Sequence, residues 1–200
     1  MINQIYKLYF QNLYAIMILF SITYISLIGC KKTNEIELKP APVGGDFTLQ
    51  SNTGNYSLTQ SRGKVVLIYF GFTSCPDVCP TTLSNIAQAF KGLDSKEIKK
   101  VQTLFISVDP ERDKLDRLQE YAAFFHPQIL ALTGSLEELQ RVAALYGAYF
   151  RKEKVSSSME YTMDHTSTVF VVNQDGKLVD SILHGSSPSD FKKTILKYVK

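Results

Sequence analysis

Residues 63–83, GKVVLIYFGFTSCPDVCPTTL, join an apolar strand to a two-cysteine turn and the start of a helix. From 65 to 72 the residues are apolar, β-branched or aromatic without interruption, which predicts a strand covered on both faces. After the turn, Leu83, Ile86 and Phe90 recur at helical spacing. The stretch therefore predicts a strand–turn–helix unit with both cysteines at the carboxyl end of a strand, where open α/β sheets place their sites.

Cys75 and Cys79 lie in this turn, each followed by a proline. Pro80 disfavours helical geometry at Cys79 and suits the first helical position, so we expect Cys79 to cap the helix and Cys75 to lie in the preceding loop. Free N–H groups at a helix start favour a thiolate over a thiol. The pair predicts a redox dithiol, a metal site or both, with two inert buried cysteines as the alternative. Two thiolates need partners to hold a metal.

The chain offers three histidines as partners. His126 ends a predicted helix and is expected to be a surface or capping residue, and His184 lies in a Gly/Ser loop. His165 precedes a predicted strand, in a loop expected to lie beside the cysteine turn. Asp164 is expected to orient the His165 ring or tune its basicity, as carboxylates near metal ligands do. A structural histidine with satisfied hydrogen bonds remains the alternative for His165.

The rest of the domain alternates strands and helices. The pattern predicts strands over 103–108 and 129–132, helices over 115–125 and 136–146, a hairpin of 168–173 with 178–183, and a last helix starting near Ser187 or Ser189. Segments 47–49 and 56–58 predict an added N-terminal hairpin. The predicted fold class is α/β, a three-layer sandwich with a mixed central sheet.

Composition excludes several classes of protein. The 200 residues carry a net charge of +3 and are 20% charged, which excludes a disordered charged tail and a nucleic-acid footprint. Three cysteines are too few for a scaffold held together by several disulfides. They also cannot supply the four thiolates of an iron–sulfur cluster or a four-cysteine zinc site. The length predicts one domain with an appendage.

The appendage is an apolar N-terminal segment. Residues 8–29 contain no charged side chain, and the run ends in Leu27-Ile28-Gly29-Cys30, which resembles a bacterial lipobox. We expect residues 1–29 to be a lipoprotein signal peptide, Cys30 to be lipidated, residues 30–40 to be a tether and 41–200 to be the domain. An uncleaved membrane anchor is the alternative. Both predict an extracytoplasmic, periplasmic location on a membrane, where two or more acyl chains hold a protein firmly.

Three segments resemble the Sco/SenC family: residues 63–83, SVDPERD at 107–113 and MDHTSTVFVV at 163–172. The resemblance runs from about Pro42 to the C-terminus. These are membrane-anchored, thioredoxin-fold copper proteins used in assembling cytochrome c oxidase. The resemblance therefore implies a thioredoxin-like fold and copper as the bound ion.

The resemblance also implies roles for individual residues. Cys75, Cys79 and His165 are expected to bind copper, and the two cysteines to form a disulfide as well. Asp164 is expected to be an auxiliary residue beside the ligand histidine and not a ligand itself. Asp109 is expected to shape a strand-to-helix turn. Two thiolates and an imidazole suit copper, including Cu(I). Three ligands leave a position open, which suits delivery better than storage.

We therefore predict a copper chaperone that passes copper to the copper-binding subunit of cytochrome c oxidase, with other copper carriers or thiol reductants as further partners. The alternative is a membrane-tethered thiol–disulfide reductase acting on cysteines of an oxidase subunit. A thiol peroxidase is a weaker option, because it needs one reactive cysteine with an arginine nearby. The closest basic residues in sequence are Arg62 and Lys64, and no motif places either of them at the cysteines.

Overall fold

The computed structural model describes residues 43–155 and 160–200. The predictions for residues 1–40, including the signal peptide, lipidation of Cys30 and the tether, lie outside these ranges. Among the described helices, none is long and apolar enough to cross a bilayer.

The described residues form nine strands and four α-helices. In chain order they are β1 (Thr48–Ser51), β2 (Gly54–Ser57), β3 (Val65–Gly71), α1 (Val78–Lys91), β4 (Val101–Ser107), α2 (Leu115–Phe125), β5 (Ile129–Leu132), α3 (Leu136–Leu145), β6 (Phe150–Lys154), β7 (Tyr161–His165), β8 (Val169–Val172), β9 (Leu178–Ile182) and α4 (Pro188–Tyr198).

A five-stranded central sheet has the order β5-β4-β3-β8-β9. β3 runs parallel to β4, which runs parallel to β5, while β8 is antiparallel to both β3 and β9. Parallel neighbours need a crossover connection, and α1 and α2 supply the two that this order requires. Every residue of β3 and β8 is buried, so both faces of the sheet centre are covered. The mixed α/β class predicted from the sequence is confirmed.

Local signals account for the starts of the last two helices, α3 and α4. Ser135 caps α3 and Ser187 caps α4, each in a reciprocal capping box, with Glu138 and Asp190 respectively. Pro188 occupies the first position of α4, where its missing N–H costs nothing. The predicted N-terminal hairpin is also confirmed, since β1 pairs with β2 in antiparallel register.

Two expectations are wrong. α1 begins at Val78 with Asp77 as its cap, so Cys79 lies in the first turn instead of capping the helix. The N–H groups of a first turn have no intrahelical partner, so Pro80 is accommodated at the third helical position, two positions deeper than expected. The segment 161–165 is the strand β7 and not a loop, and it pairs with β6 in a separate two-stranded sheet.

Candidate metal centre

The end of β3 and the start of α1 position the two cysteines. Cys79 is fully buried and Cys75 is half-buried, and both are free thiols. The backbone N–H of Cys79 donates to Cys75 Sγ at 3.4 Å. The first turn of α1 therefore directs a backbone donor at the more exposed sulfur, the arrangement expected to favour a thiolate.

β7 delivers His165 to the same place. Its Nε2 lies 3.9 Å from Cys79 Sγ, although the two residues are 86 positions apart. Its Nδ1 lies 3.1 Å from the carbonyl oxygen of Thr166, which can only accept. A hydrogen bond to that oxygen places a proton on Nδ1 and leaves Nε2 as the ring nitrogen that faces the cysteine sulfurs. The Phe72 ring packs edge-on against the imidazole at a centroid distance of 5.7 Å.

The two thiols differ in acidity. The pKa of Cys75 is lowered, chiefly because its sulfur accepts a hydrogen bond from the Cys79 thiol and further bonds from His165 and backbone N–H groups. The pKa of Cys79 is raised, because its thiol is the donor in that bond, is buried, and lies beside the Cys75 charge. These contacts indicate that the two sulfurs share one proton and that the negative charge of the pair lies mainly on Cys75.

The donor set fits copper, although the ligand geometry is not preformed. Among the described residues no three His, Cys, Asp or Glu side chains stand together at metal-binding spacing. A thiolate and an imidazole on one metal ion, with bonds of about 2.3 and 2.1 Å, would be about 3.6–3.8 Å apart at tetrahedral to trigonal angles. The observed 3.9 Å between Cys79 Sγ and His165 Nε2 is close to that separation, so this pair of donors fits a shared metal ion with a small side-chain adjustment.

Gly71 and Tyr69 surround the buried sulfur, and sequence reasoning missed both. A Cβ on Gly71 would lie 2.9 Å from Cys79 Sγ and 2.6 Å from the Phe105 ring, so a side chain there displaces one of them. The Tyr69 hydroxyl donates to Cys79 Sγ at 3.5 Å. The two residues share a face of β3 because side chains alternate along a strand. Within an unbroken apolar run, that alternation was the only signal available.

The turn after β4 holds the cysteine loop. The Asp113 carboxylate is buried and accepts bonds from the backbone N–H of Thr73 at 3.1 Å, from the Thr73 hydroxyl, and from the Ser107 hydroxyl at 2.6 Å. Thr73 stands two residues before Cys75, so this carboxylate fixes the beginning of the loop to the central sheet.

The same turn holds the histidine strand. Arg112 pairs with the buried carboxylate of Asp109 and donates to the carbonyl oxygen of Tyr161 at 3.1 Å. Its guanidinium lies 3.8 Å from the centre of the Tyr161 ring, and the Tyr161 hydroxyl returns a bond to Asp109 at 2.9 Å. Tyr161 opens β7, which ends at His165. Asp109, expected only to shape the turn, thus also joins it to the strand that carries the imidazole.

The Asp164 carboxylate makes no hydrogen bond to the His165 ring among the described residues, so the expectation that it orients the ring directly is wrong. Its carboxylate bonds the Tyr149 hydroxyl at 3.3 Å and Arg151 Nε at 3.2 Å. Neighbouring residues of a strand point to opposite faces, which separates this carboxylate from the imidazole. The bond to the Thr166 carbonyl orients the ring instead.

The other two histidines lie outside the site, as expected. His126 caps the end of α2, and its Nδ1 accepts from the backbone N–H of Gln128 at 3.2 Å. Burial lowers the pKa of His126, which packs edge-on against Phe90. His184 is exposed. Arg62 and Lys64 precede β3 and so lie at the end of the strand opposite the cysteines.

The fold and the site together define a thioredoxin-like dithiol domain. Its central sheet is mixed, its two thiols lie at the start of the first long helix, and an imidazole faces one of the sulfurs. A family model described as SCO1/SenC matches residues 36–200. The chain belongs to the SCO1/SenC family, whose structures share the thioredoxin-like fold and have been solved with copper bound.

Individual relatives agree with this assignment. The chain is 34% identical over 165 residues to the mitochondrial SCO2 homolog of Bos taurus, covering 81% of this chain and 62% of that protein. It therefore spans about three fifths of the length of that relative. Yeast Sco1 with copper bound is 33% identical with a TM-score of 0.71, over 80% of this chain and 89% of that one.

A further relative is BsSco, described as a member of the Sco family of cytochrome c oxidase assembly proteins with a disulfide switch. It is 27% identical with a TM-score of 0.63, covering 80% of this chain and 95% of that chain.

Proposed function

We propose that this protein is a copper chaperone that binds copper through Cys75, Cys79 and His165 and delivers it to the copper-binding subunit of a cytochrome c oxidase. The observation that carries the proposal is the 3.9 Å approach of His165 Nε2 to Cys79 Sγ across 86 positions of sequence. Copper-bound relatives and the oxidase-assembly description of BsSco support the choice of metal and target.

The differing exposure of the ligands fits transfer of copper as a cargo. Cys79 is buried, so a partner protein reaches the site from the side of the half-buried Cys75. Both thiols must be reduced and deprotonated to bind, so loading depends on thiol redox state and weakens as pH falls. Other copper carriers and thiol reductants are the further partners that this chemistry requires.

The experiment that tests the proposal compares copper stoichiometry in the wild type, His165→Ala and His184→Ala. Replacement of His165 removes a ligand, so bound copper per protein or its affinity falls at least tenfold. His184 is the matched control, because its exposed ring lies outside the site and its loss leaves binding unchanged. Undiminished copper affinity in His165→Ala would contradict the three-ligand site.

For the N-terminal segment we propose cleavage after residue 29 and lipidation of Cys30, with residues 30–40 as a tether. The ten residues after Cys30, 31–40, reach at most about 35 Å when fully extended, so the domain would work close to the membrane surface on its extracytoplasmic side. Mass spectrometry of the mature protein tests this. Acyl chains on Cys30 are expected, and an intact N-terminus starting at Met1 would contradict the proposal.

A second candidate function is thiol–disulfide reduction of cysteines in an oxidase subunit. The observation that favours it is the unequal pair, with a half-buried, acidic Cys75 beside a buried, proton-bearing Cys79. Such a pair suits attack by one sulfur and resolution by the other. Rapid reduction of insulin by metal-free protein, unaffected in His165→Ala, would favour this reaction over copper transfer.

A further inference from the structure

Tyr69 is a buried phenol in contact with the proposed site, and neither proposed reaction uses it. The residue lies at the centre of β3 and is fully buried. Its hydroxyl donates to Cys79 Sγ at 3.5 Å, and its ring packs near those of Phe105 and His165 at centroid distances of 6.0 and 6.5 Å.

A hydroxyl at this place needs a reason. Burying one without a hydrogen bond is costly, and phenylalanine would fill nearly the same volume without that cost. The Tyr69 hydroxyl donates to the sulfur of Cys79, and the Thr82 side chain lies within hydrogen-bonding reach of the same hydroxyl. The hydroxyl is therefore directed at the one sulfur that solvent does not reach.

We propose that Tyr69 is a positioning residue whose hydrogen bond stabilises negative charge on the Cys79 sulfur, strengthening copper binding and favouring the reduced pair. The inference rests on the proposed function, in which Cys79 is a copper ligand. Copper binding replaces the thiol proton and leaves the sulfur more negative, and hydrogen bonds to charged acceptors are stronger than those to neutral ones.

The same bond acts on the disulfide equilibrium. Oxidation by an external disulfide such as oxidised glutathione forms the Cys75–Cys79 bond and breaks the glutathione disulfide. It removes two electrons and the one shared proton from the pair, and with a second proton from solvent it yields two molecules of reduced glutathione. In the reduced pair the Cys79 sulfur shares part of the negative charge of Cys75, whereas a disulfide sulfur carries little charge, so the Tyr69 bond weakens on oxidation. The hydroxyl therefore favours the dithiol.

Tyr121 provides a matched control. Its ring packs against the same Phe105 side chain, at a centroid distance of 5.8 Å. Its hydroxyl is buried and has no hydrogen-bond partner among the described residues. Tyr121→Phe therefore removes a phenol oxygen from the same aromatic cluster without removing a bond to sulfur.

The experiment uses the full-length protein in detergent as wild type, Tyr69→Phe and Tyr121→Phe. Cu(I) affinity is measured by competition with a chromogenic chelator, and the metal-free dithiol–disulfide constant in glutathione buffers. A hydrogen bond of ordinary strength predicts about a three- to tenfold loss of copper affinity in Tyr69→Phe. We expect the dithiol–disulfide equilibrium constant of Tyr69→Phe to shift toward the disulfide by a similar factor, and a tenfold change in that constant equals about 30 mV. Tyr121→Phe stays within about twofold of wild type.

Two results separate this inference from the proposed function. If wild type binds no copper, the proposed function fails and the metal-free disulfide constant alone decides the role of Tyr69. If wild type binds copper and Tyr69→Phe matches Tyr121→Phe in both measurements, the inference is overturned while the proposed function stands.

Discussion

The two regions that form the site are supported in different ways. The cysteine turn follows β3, all of whose residues are buried, and Cys79 itself is fully buried in the core. His165 ends the β6–β7 hairpin, a separate two-stranded sheet whose residues are mostly exposed or half-buried. The difference teaches that the cysteine side of the proposed site is fixed mainly by core packing, while the histidine side depends on a few polar contacts from Asp109 and Arg112.

The largest expected effect comes from breaking the core side of this comparison with Gly71→Ala. The added Cβ would meet the Phe105 ring at 2.6 Å and Cys79 Sγ at 2.9 Å, and neither can withdraw from a packed core. We expect the free energy of unfolding to fall by about 3 kcal/mol, the upper end for overpacking. Urea denaturation of the metal-free protein measures it.

Gly92→Ala is the control for that substitution. Its Cβ would also meet a close atom, at 3.1 Å, but that atom belongs to the flexible end of Lys192, which can move away. We expect a change below about 0.5 kcal/mol there, as for an ordinary surface substitution. Equal losses at the two glycines would show that Cys79 is not held by close packing.

The sequence predicts the core half of the site far better than the hairpin half. Long apolar runs and helical spacing place β3, α1 and β4 within two or three residues of their observed bounds, because burial imposes those patterns. In β6, Arg151, Lys152 and Lys154 are all exposed, so no apolar alternation announces the strand. No sequence pattern predicts the hydrogen bond between Arg112 and Tyr161 either, because the two residues are 49 positions apart in the sequence.

A second prediction sharpens the contrast between the two sulfurs. At pH 6 we expect iodoacetamide to alkylate Cys75 at least about tenfold faster than Cys79, because thiolate is the reactive form. The lowered pKa of Cys75 keeps it deprotonated below the usual thiol range, while burial and a raised pKa protect Cys79. Peptide mass spectrometry over a time course measures both rates.

The control for that measurement is Cys75→Ser, in which Cys79 loses its charged neighbour but stays buried. Alkylation of Cys79 remains slow in this variant if burial protects it. Equal rates for the two cysteines in the wild type would contradict the asymmetry.

A third prediction breaks the support of the hairpin with Arg112→Lys. Lysine keeps the charge but loses the paired bonds to Asp109 and Tyr161 and the stacked contact with the Tyr161 ring. We expect a loss of about 1.5 kcal/mol in stability. Amide hydrogen exchange should rise in β7 and stay unchanged in β3. Arg117→Lys, on the exposed surface of α2, is the control and should leave exchange unchanged. Faster exchange in both β3 and β7 of Arg112→Lys would mean that the substitution destabilises the whole domain.

The smallest effect is expected from Tyr161→Phe, which removes one hydroxyl from the same support. That hydroxyl bonds the buried carboxylate of Asp109 at 2.9 Å, so its loss leaves an acceptor less satisfied and costs about 1 kcal/mol. Tyr149→Phe is the control from the same part of the chain, because the exposed Tyr149 hydroxyl bonds the half-buried Asp164 and water can replace that bond. Urea denaturation of both variants compares them. If Tyr149→Phe costs as much as Tyr161→Phe, the buried bond to Asp109 is not what ties β7 to the core, and the hairpin owes its position to packing after all.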